Sequence, residues 1–188
     1  MNKDRLIAFE DAVLAIIVTI LVLDLQKPAT VSWAGLWALR ANFFAYTLSF
    51  FWIGLMWVSH HNHWHLVKQI DNHTVYLTLI LLFFSSLFPY TTSLVAENFY
   101  NTTAQVFYGV IIIIISCLNV LISLNLNKLN PEAHFGLLYK IPNHTVILDL
   151  ACKVIGLLIA VWVYPPAMVY SILIASIVLQ FDFSRLFA

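Results

Sequence analysis

Apolar runs of membrane length, separated by short polar breaks, dominate the chain. Six such runs occur, at roughly 6–25, 33–58, 74–95, 104–124, 144–163 and 166–183, each close to the ~20 residues a helix needs to cross a bilayer. The breaks fall where turn chemistry places them: QKPAT at 26–30, the HHNHWH cluster at 60–65, ENFYNTT at 97–103, NKLNPEAHFG at 127–136, and Tyr164 with Pro165 and Pro166. Connections this short force neighbouring helices to run antiparallel. The pattern predicts an all-α membrane protein, a bundle of six transmembrane helices per subunit, with residues 1–188 forming a single domain.

Composition agrees with that solvent, because a 188-residue chain that is 62% hydrophobic and 10% charged cannot hide its apolar surface in one water-soluble core. Acidic and basic residues balance at 9 each, so no net charge points to nucleic acid. Position carries the information instead: Lys3, Arg5, Lys68, Lys128, Lys140 and Arg185 share the side of the N-terminus, against Lys27 on the other. The positive-inside rule places both termini in the cytoplasm of a multi-pass cell-membrane protein. A signal peptide fits poorly, since Glu10 and Asp11 interrupt its apolar region and Asp24, Gln26 and Pro28 stand where a cleavage site belongs. Cys117 and Cys152 lie singly in apolar runs and read as packing residues.

The first helix is unusual at both ends. At about 100° per residue, Ile16, Thr19, Ile20 and Leu23 fall within an arc of about 100° and form one stripe, while Asp11 lies about 140° from Ile16. A stripe of branched residues ordinarily packs a bundle, and a helical Thr ordinarily bonds a carbonyl one turn back. An intramembrane carboxylate, by contrast, costs several kcal/mol unless paired or hydrated and marks a functional site.

Arg5, Phe9 and Asp11, followed by AVLAIIVTILVL, resemble the Arg-x-x-x-Phe-Ser-Asp signature of the transmembrane protein 175 potassium channels. MWVSHH in the second segment is similar to the family's Trp-x-x-His-His, and LLFFSSLFPYTTS in the third resembles its aromatic run ending Leu-Pro-Phe. Glu10 stands in place of the signature's Ser, and Thr78 in place of an Asn. The resemblance implies a homotetramer around a central pore lined by the first helix, with no carbonyl-lined filter loop, no enzymatic activity, and K⁺ as the permeant partner rather than a bound cofactor. It implies Ile16 as the narrowest hydrophobic ring, Ile20 and Leu23 as further rings, and Thr19 as the source of selectivity. Arg5, Phe9, Glu10, Asp11, His60, His61 and Thr78 are then a polar network tying the pore helix to the second and third helices. A ring of isoleucines would gate by dewetting.

Other clusters have plainer readings. His61 and His65 have the i,i+4 spacing of a metal pair, but without a nearby Cys this cluster, with Trp57 and Trp64, reads as an interfacial belt, and no metal is expected. Asp149 and Lys153, in acid-before-base i,i+4 order, should neutralise each other. Pro89 should break or kink the third helix, and Gly109 and Gly156 permit close helix approach. Two rival functions remain. A proton-permeable channel or carrier would use Arg5, Glu10, Asp11 and His60 or His61; a haem-binding subunit would pair His60 or His61 with His73.

Overall fold

The computed structural model describes residues 2–133, 135–138 and 141–185, the last six by their backbone alone. Lys140 lies outside the described residues, and nothing of the Arg185 side chain is described. Eight α-helices are present among them: α1 (Lys3–Leu23), α2 (Trp33–Ala38), α3 (Arg40–Leu66), α4 (Asn72–Ser86), α5 (Phe88–Glu97), α6 (Thr102–Leu129), α7 (Asn143–Trp162) and α8 (Ala167–Arg185). Five stretches are long and apolar enough to cross a membrane: α1, α3, α4 continued by α5, α6 and α7; α8 adds a shorter apolar helix over Ala167–Leu179.

The boundaries differ from the sequence expectation in three places, each for a local reason. The second apolar run is divided at Leu39 into the short α2 and the long α3. The HHNHWH cluster is not a loop, because no Gly or Pro interrupts it and α3 continues to Leu66. The third run breaks at Leu87, two residues before Pro89, which sits in the first turn of α5, where a missing N–H costs nothing. Polar caps start α1, α4 and α6: Asn2, Asp71 and Asn101 accept from Asp4, Thr74 and Ala104 N–H groups, the ordinary way to satisfy the donors a helix start exposes.

Contacts place α1 beside α3, α4 and α5, α4 on α6, α5 between α3 and α6, and α7 on α8 and α6. Two cross-links show which helix ends meet. Lys3 Nζ donates to the Trp64 and Val67 carbonyls at 3.3 and 2.8 Å, a cation at the negative C-terminus of α3, and Lys68 meets Glu132 at 2.6 Å beyond α6. The start of α1 and the ends of α3 and α6 therefore share one end of the bundle.

Toward the other end, Ser49 bonds the Thr92 hydroxyl at 2.8 Å and Tyr108 at 2.9 Å, joining α3, α5 and α6 beneath the stacked rings of Trp52 and Phe88, 5.0 Å apart. The two glycines differ. A Cβ on Gly156 would strike the Ser171 side chain of α8 close to its backbone, whereas one on Gly109 would meet the Met168 thioether, 2.6 Å away. Only the flexible methionine can yield. Many large apolar residues, Phe51, Phe83 and Ile147 among them, stay exposed on the bundle, far more than a monomer in water tolerates.

Candidate pore face and buried polar network

α1 has two faces. Leu6, Glu10, Leu14, Ile17 and Leu21 are its buried residues, and at about 100° per residue they fall within an arc of about 80°. Ile16 (58% exposed), Ile20 (38%) and Leu23 (79%) are open, with Thr19 among them, centred about 130° away from the buried stripe. Arg5 and Phe9 are also exposed and lie within about 20° of Ile16 on the wheel. One uncovered face thus runs the length of α1 from a cation through an aromatic ring to branched apolar residues. The Thr19 hydroxyl donates to the Ile16 carbonyl at 2.7 Å, which leaves its oxygen lone pairs directed away from the helix.

The buried carboxylate is Glu10. It is 1% exposed, accepts from Trp64 Nε1 at 2.9 Å and pairs with His60 Nδ1. His60 Nε2 in turn meets Asn119 Oδ1 of α6. The chain Trp64, Glu10, His60, Asn119 ties α1 to α3 and α6. Both oxygens of Glu10 and both ring nitrogens of His60 have a partner, the condition under which polar groups are tolerated in a low-dielectric interior.

The other residues expected in this network are placed elsewhere. Asp11, one step of about 100° further round α1, is exposed and accepts from Trp57 Nε1 at 2.7 Å. His61, also exposed, meets His65 at 3.0 Å and lies against the Trp57 ring at 5.6 Å between centroids. Arg5 and Phe9 face outward with the Ile16 stripe and do not tie α1 to its neighbours within the subunit. Thr78 is buried but donates to the Thr74 carbonyl one turn back at 2.9 Å; its short side chain closes on its own helix, where an Asn would reach further.

Sequence reasoning missed three participants. Trp64, read as a headgroup-level residue, is 5% exposed and holds Glu10; its i,i+4 relation to His60 was the available signal. Asn119 was hidden in the apolar run of α6. His63 is buried against the Phe135 ring at 5.2 Å instead of lying at the membrane surface. Among the described residues, no group of three or more His, Cys, Asp or Glu could hold a metal ion.

Five membrane-length stretches, a buried hydrogen-bonded chain of polar side chains and a wide apolar exterior define a multi-pass α-helical membrane protein. Residues 5–89 match the family described as the endosomal/lysosomal potassium channel TMEM175, so over that region the chain is similar to that family. A potassium channel of Chryseobacterium sp. (strain P1-3) is 39% identical over 110 residues, 58% of this chain and 57% of that one. One of Streptomyces collinus is 39% identical over 102 residues, 52% and 50% of the two chains. The aligned region thus spans about half the length of these curated relatives.

Two crystal structures share the fold across nearly the whole chain. The lysosomal potassium-selective channel TMEM175 homolog from Chamaesiphon minutus superposes with a TM-score of 0.68 at 23% identity, covering 96% of this chain and 97% of that one. The T38A variant of the potassium channel MtTMEM175 gives 0.62 at 20% identity, covering 97% and 92%.

Proposed function

We propose that the protein is a potassium-preferring channel of the cell membrane, a homotetramer with both termini in the cytoplasm and residues 1–188 acting as one six-helix channel domain. The observation that carries this reading is the uncovered face of α1, where Ile16, Thr19, Ile20 and Leu23 stand exposed while the opposite face is packed. A helix buried on one side and open on the other, at the edge of a bundle with little water-compatible surface, fits an axis closed by further copies. The relatives of Chryseobacterium and Streptomyces collinus, both potassium channels, point the same way.

In this reading four Ile16 side chains form a constriction that excludes water, and Ile20 and Leu23 form wider collars. An ion stripped of hydration there meets a steep barrier until the ring widens. Thr19, its proton given to a backbone carbonyl, offers lone pairs that replace lost water more readily for K⁺ than for the more strongly hydrated Na⁺. Arg5 and Phe9 face the axis near its mouth. The Glu10, His60 and Asn119 chain holds the other side of α1 and fixes its rotation.

The rival functions have less support. Both ring nitrogens of His60 are engaged, leaving none for haem iron, and His73 is exposed in the first turn of α4. A proton path through Glu10 and His60 would lie on the packed side of α1, away from the open stripe.

Flux from liposomes under opposed K⁺ and Na⁺ gradients tests the proposal, with Ile16→Asn and Thr19→Val alongside. The asparagine ring should hydrate, raising flux and lowering the K⁺/Na⁺ preference, whereas Thr19→Val should lower the preference and keep the pore dry. Unchanged permeation in a well-assembled Ile16→Asn tetramer would remove α1 from the pore, and a reversal potential that follows pH instead of K⁺ would favour the proton reading.

A further inference from the structure

A cavity of about 100 Å³ lies between α3, α6, α7 and α8, and its walls combine two chemistries. Its lining mixes the apolar side chains of Trp52, Met56, Val120 and Leu150 with Ser59 and the Asp149–Lys153 pair. Lys153 is fully occupied: its ammonium meets Asp149 Oδ2 at 2.6 Å and Ser116 at 3.0 Å, and stands 5.7 Å over the Trp52 ring. The second oxygen of Asp149 and the hydroxyl of Ser59 are buried without a hydrogen-bond partner, as is the Ser176 hydroxyl, and all three residues line this cavity. Asp149 and Ser59 are themselves more than nine-tenths buried, at 6% and 7% exposure.

Unpartnered polar atoms of this kind are uncommon, because each carries its desolvation cost without return. Three converging on one cavity beside a saturated ion pair mark the place where something donates and accepts. We propose that the cavity is a binding site for a small neutral hydroxyl-bearing amphiphile. Its hydroxyl donates to Asp149 Oδ1 and accepts from Ser59, and its apolar body lies against Trp52, Met56 and Leu150.

Charge and size set the class. Asp149 and Lys153 already cancel, so an ammonium would leave an uncompensated charge in an apolar enclosure, and a carboxylate would oppose Asp149. Cavities of about 150 Å³ take benzene, so this one suits a compact molecule of about five heavy atoms. An apolar cavity of this size would stay dry and a wholly polar one would fill with water; the mixed walls favour an occupant with one polar end. His60, which lines the cavity from α3, is also the residue that holds Glu10 on α1, so the occupant and α1 share a neighbour.

Fluorine NMR of the full-length protein in detergent tests this with 3-fluoropropan-1-ol as the probe and 3-fluoropropylammonium as its charged counterpart. The alcohol should show saturable broadening absent from empty micelles, and the ammonium should bind at least about tenfold more weakly. Val120→Phe, which enlarges an apolar lining residue, should abolish the effect. Ser59→Ala removes one partner with almost no change of shape and should weaken binding about five- to tenfold, so the test survives if the phenylalanine variant does not fold. Equal behaviour in protein and empty micelles, equal binding of alcohol and ammonium, or full binding by Ser59→Ala would each overturn the assignment and leave a cavity that holds water alone. The readout involves no ion flux, so it stands or falls independently of the channel reading.

Discussion

Removing the Glu10 carboxylate should cost far more than removing that of Asp11, the reverse of what the signature residues alone imply. Glu10→Ala leaves Trp64 Nε1 and His60 Nδ1 without their acceptor, both within residues that are nine-tenths or more buried. An orphaned buried polar group costs about 1–3 kcal/mol, so two give about 2–6 kcal/mol before any cavity is counted. Asp11→Ala frees only the Trp57 N–H, at an exposed contact, where a hydrogen bond is worth about 1 kcal/mol or less. Glu10→Gln keeps the shape and one acceptor oxygen and should fall between them. Thermal unfolding of the purified protein in detergent, followed by tryptophan fluorescence, reads the difference. At about 2–4 °C per kcal/mol for a chain of this size, Glu10→Ala should melt at least about 4 °C below wild type. Size-exclusion chromatography separates subunit unfolding from loss of assembly. A Glu10→Ala variant that melts with wild type, or an Asp11→Ala variant that melts lower than it, would refute the placement of the buried carboxylate.

Two further outcomes follow from other parts of the bundle. Lys153→Met strands a buried carboxylate whose partner stood 2.6 Å away and should destabilise by about 3–5 kcal/mol; adding Asp149→Leu should recover most of the loss in the same melting assay, and a double variant no better than the single would show that the pair does not act as a unit. Asp71, which caps α4, accepts from the Thr74 backbone at 2.8 Å, its hydroxyl at 2.7 Å and Asn125 at 3.0 Å, and these bonds, the backbone one first, hold its carboxyl below the ordinary value of 3.8. A depressed folded-state value means its stabilisation is complete above the unfolded value and is lost as pH falls below it toward the folded one. Asp71→Asn, still a competent cap, should therefore lose less stability than wild type between about pH 5 and pH 2, and parallel acid curves for the two proteins would exclude Asp71 as a contributor.

What the sequence makes legible is governed by periodicity and by residues with one physical use. The long apolar runs, the break before Pro89, and the pairing of Asp149 with Lys153 each follow from a rule with few exceptions: length against bilayer thickness, the missing proline N–H, the i,i+4 register. The HHNHWH stretch resists such reading, because His and Trp serve both at headgroup depth and inside a buried hydrogen-bonded cluster. Only the fold separates them: His60, His63 and Trp64 turn inward, whereas Trp57, His61 and His65 stay outside.

The adjacency of Glu10 and Asp11 carries the same lesson one step further. Two neighbouring residues on a helix point about 100° apart, so the two carboxylates cannot answer to the same partners; one must take the packed side and the other leave it. Glu10 stands four residues before Leu14 and seven before Ile17, in register with the stripe that α1 buries, and this spacing alone assigns it inward. Asp11 falls out of that register and keeps only Trp57 within the subunit. A signature with Ser before Asp has one strong anion to place. This chain has two, and the added methylene of glutamate lets the inner one reach both the His60 imidazole and the Trp64 indole, two successive turns of α3, with its two oxygens. In this chain the anchor of α1 is therefore Glu10, and Asp11, Trp57 and His61 are left grouped on the surface of the bundle.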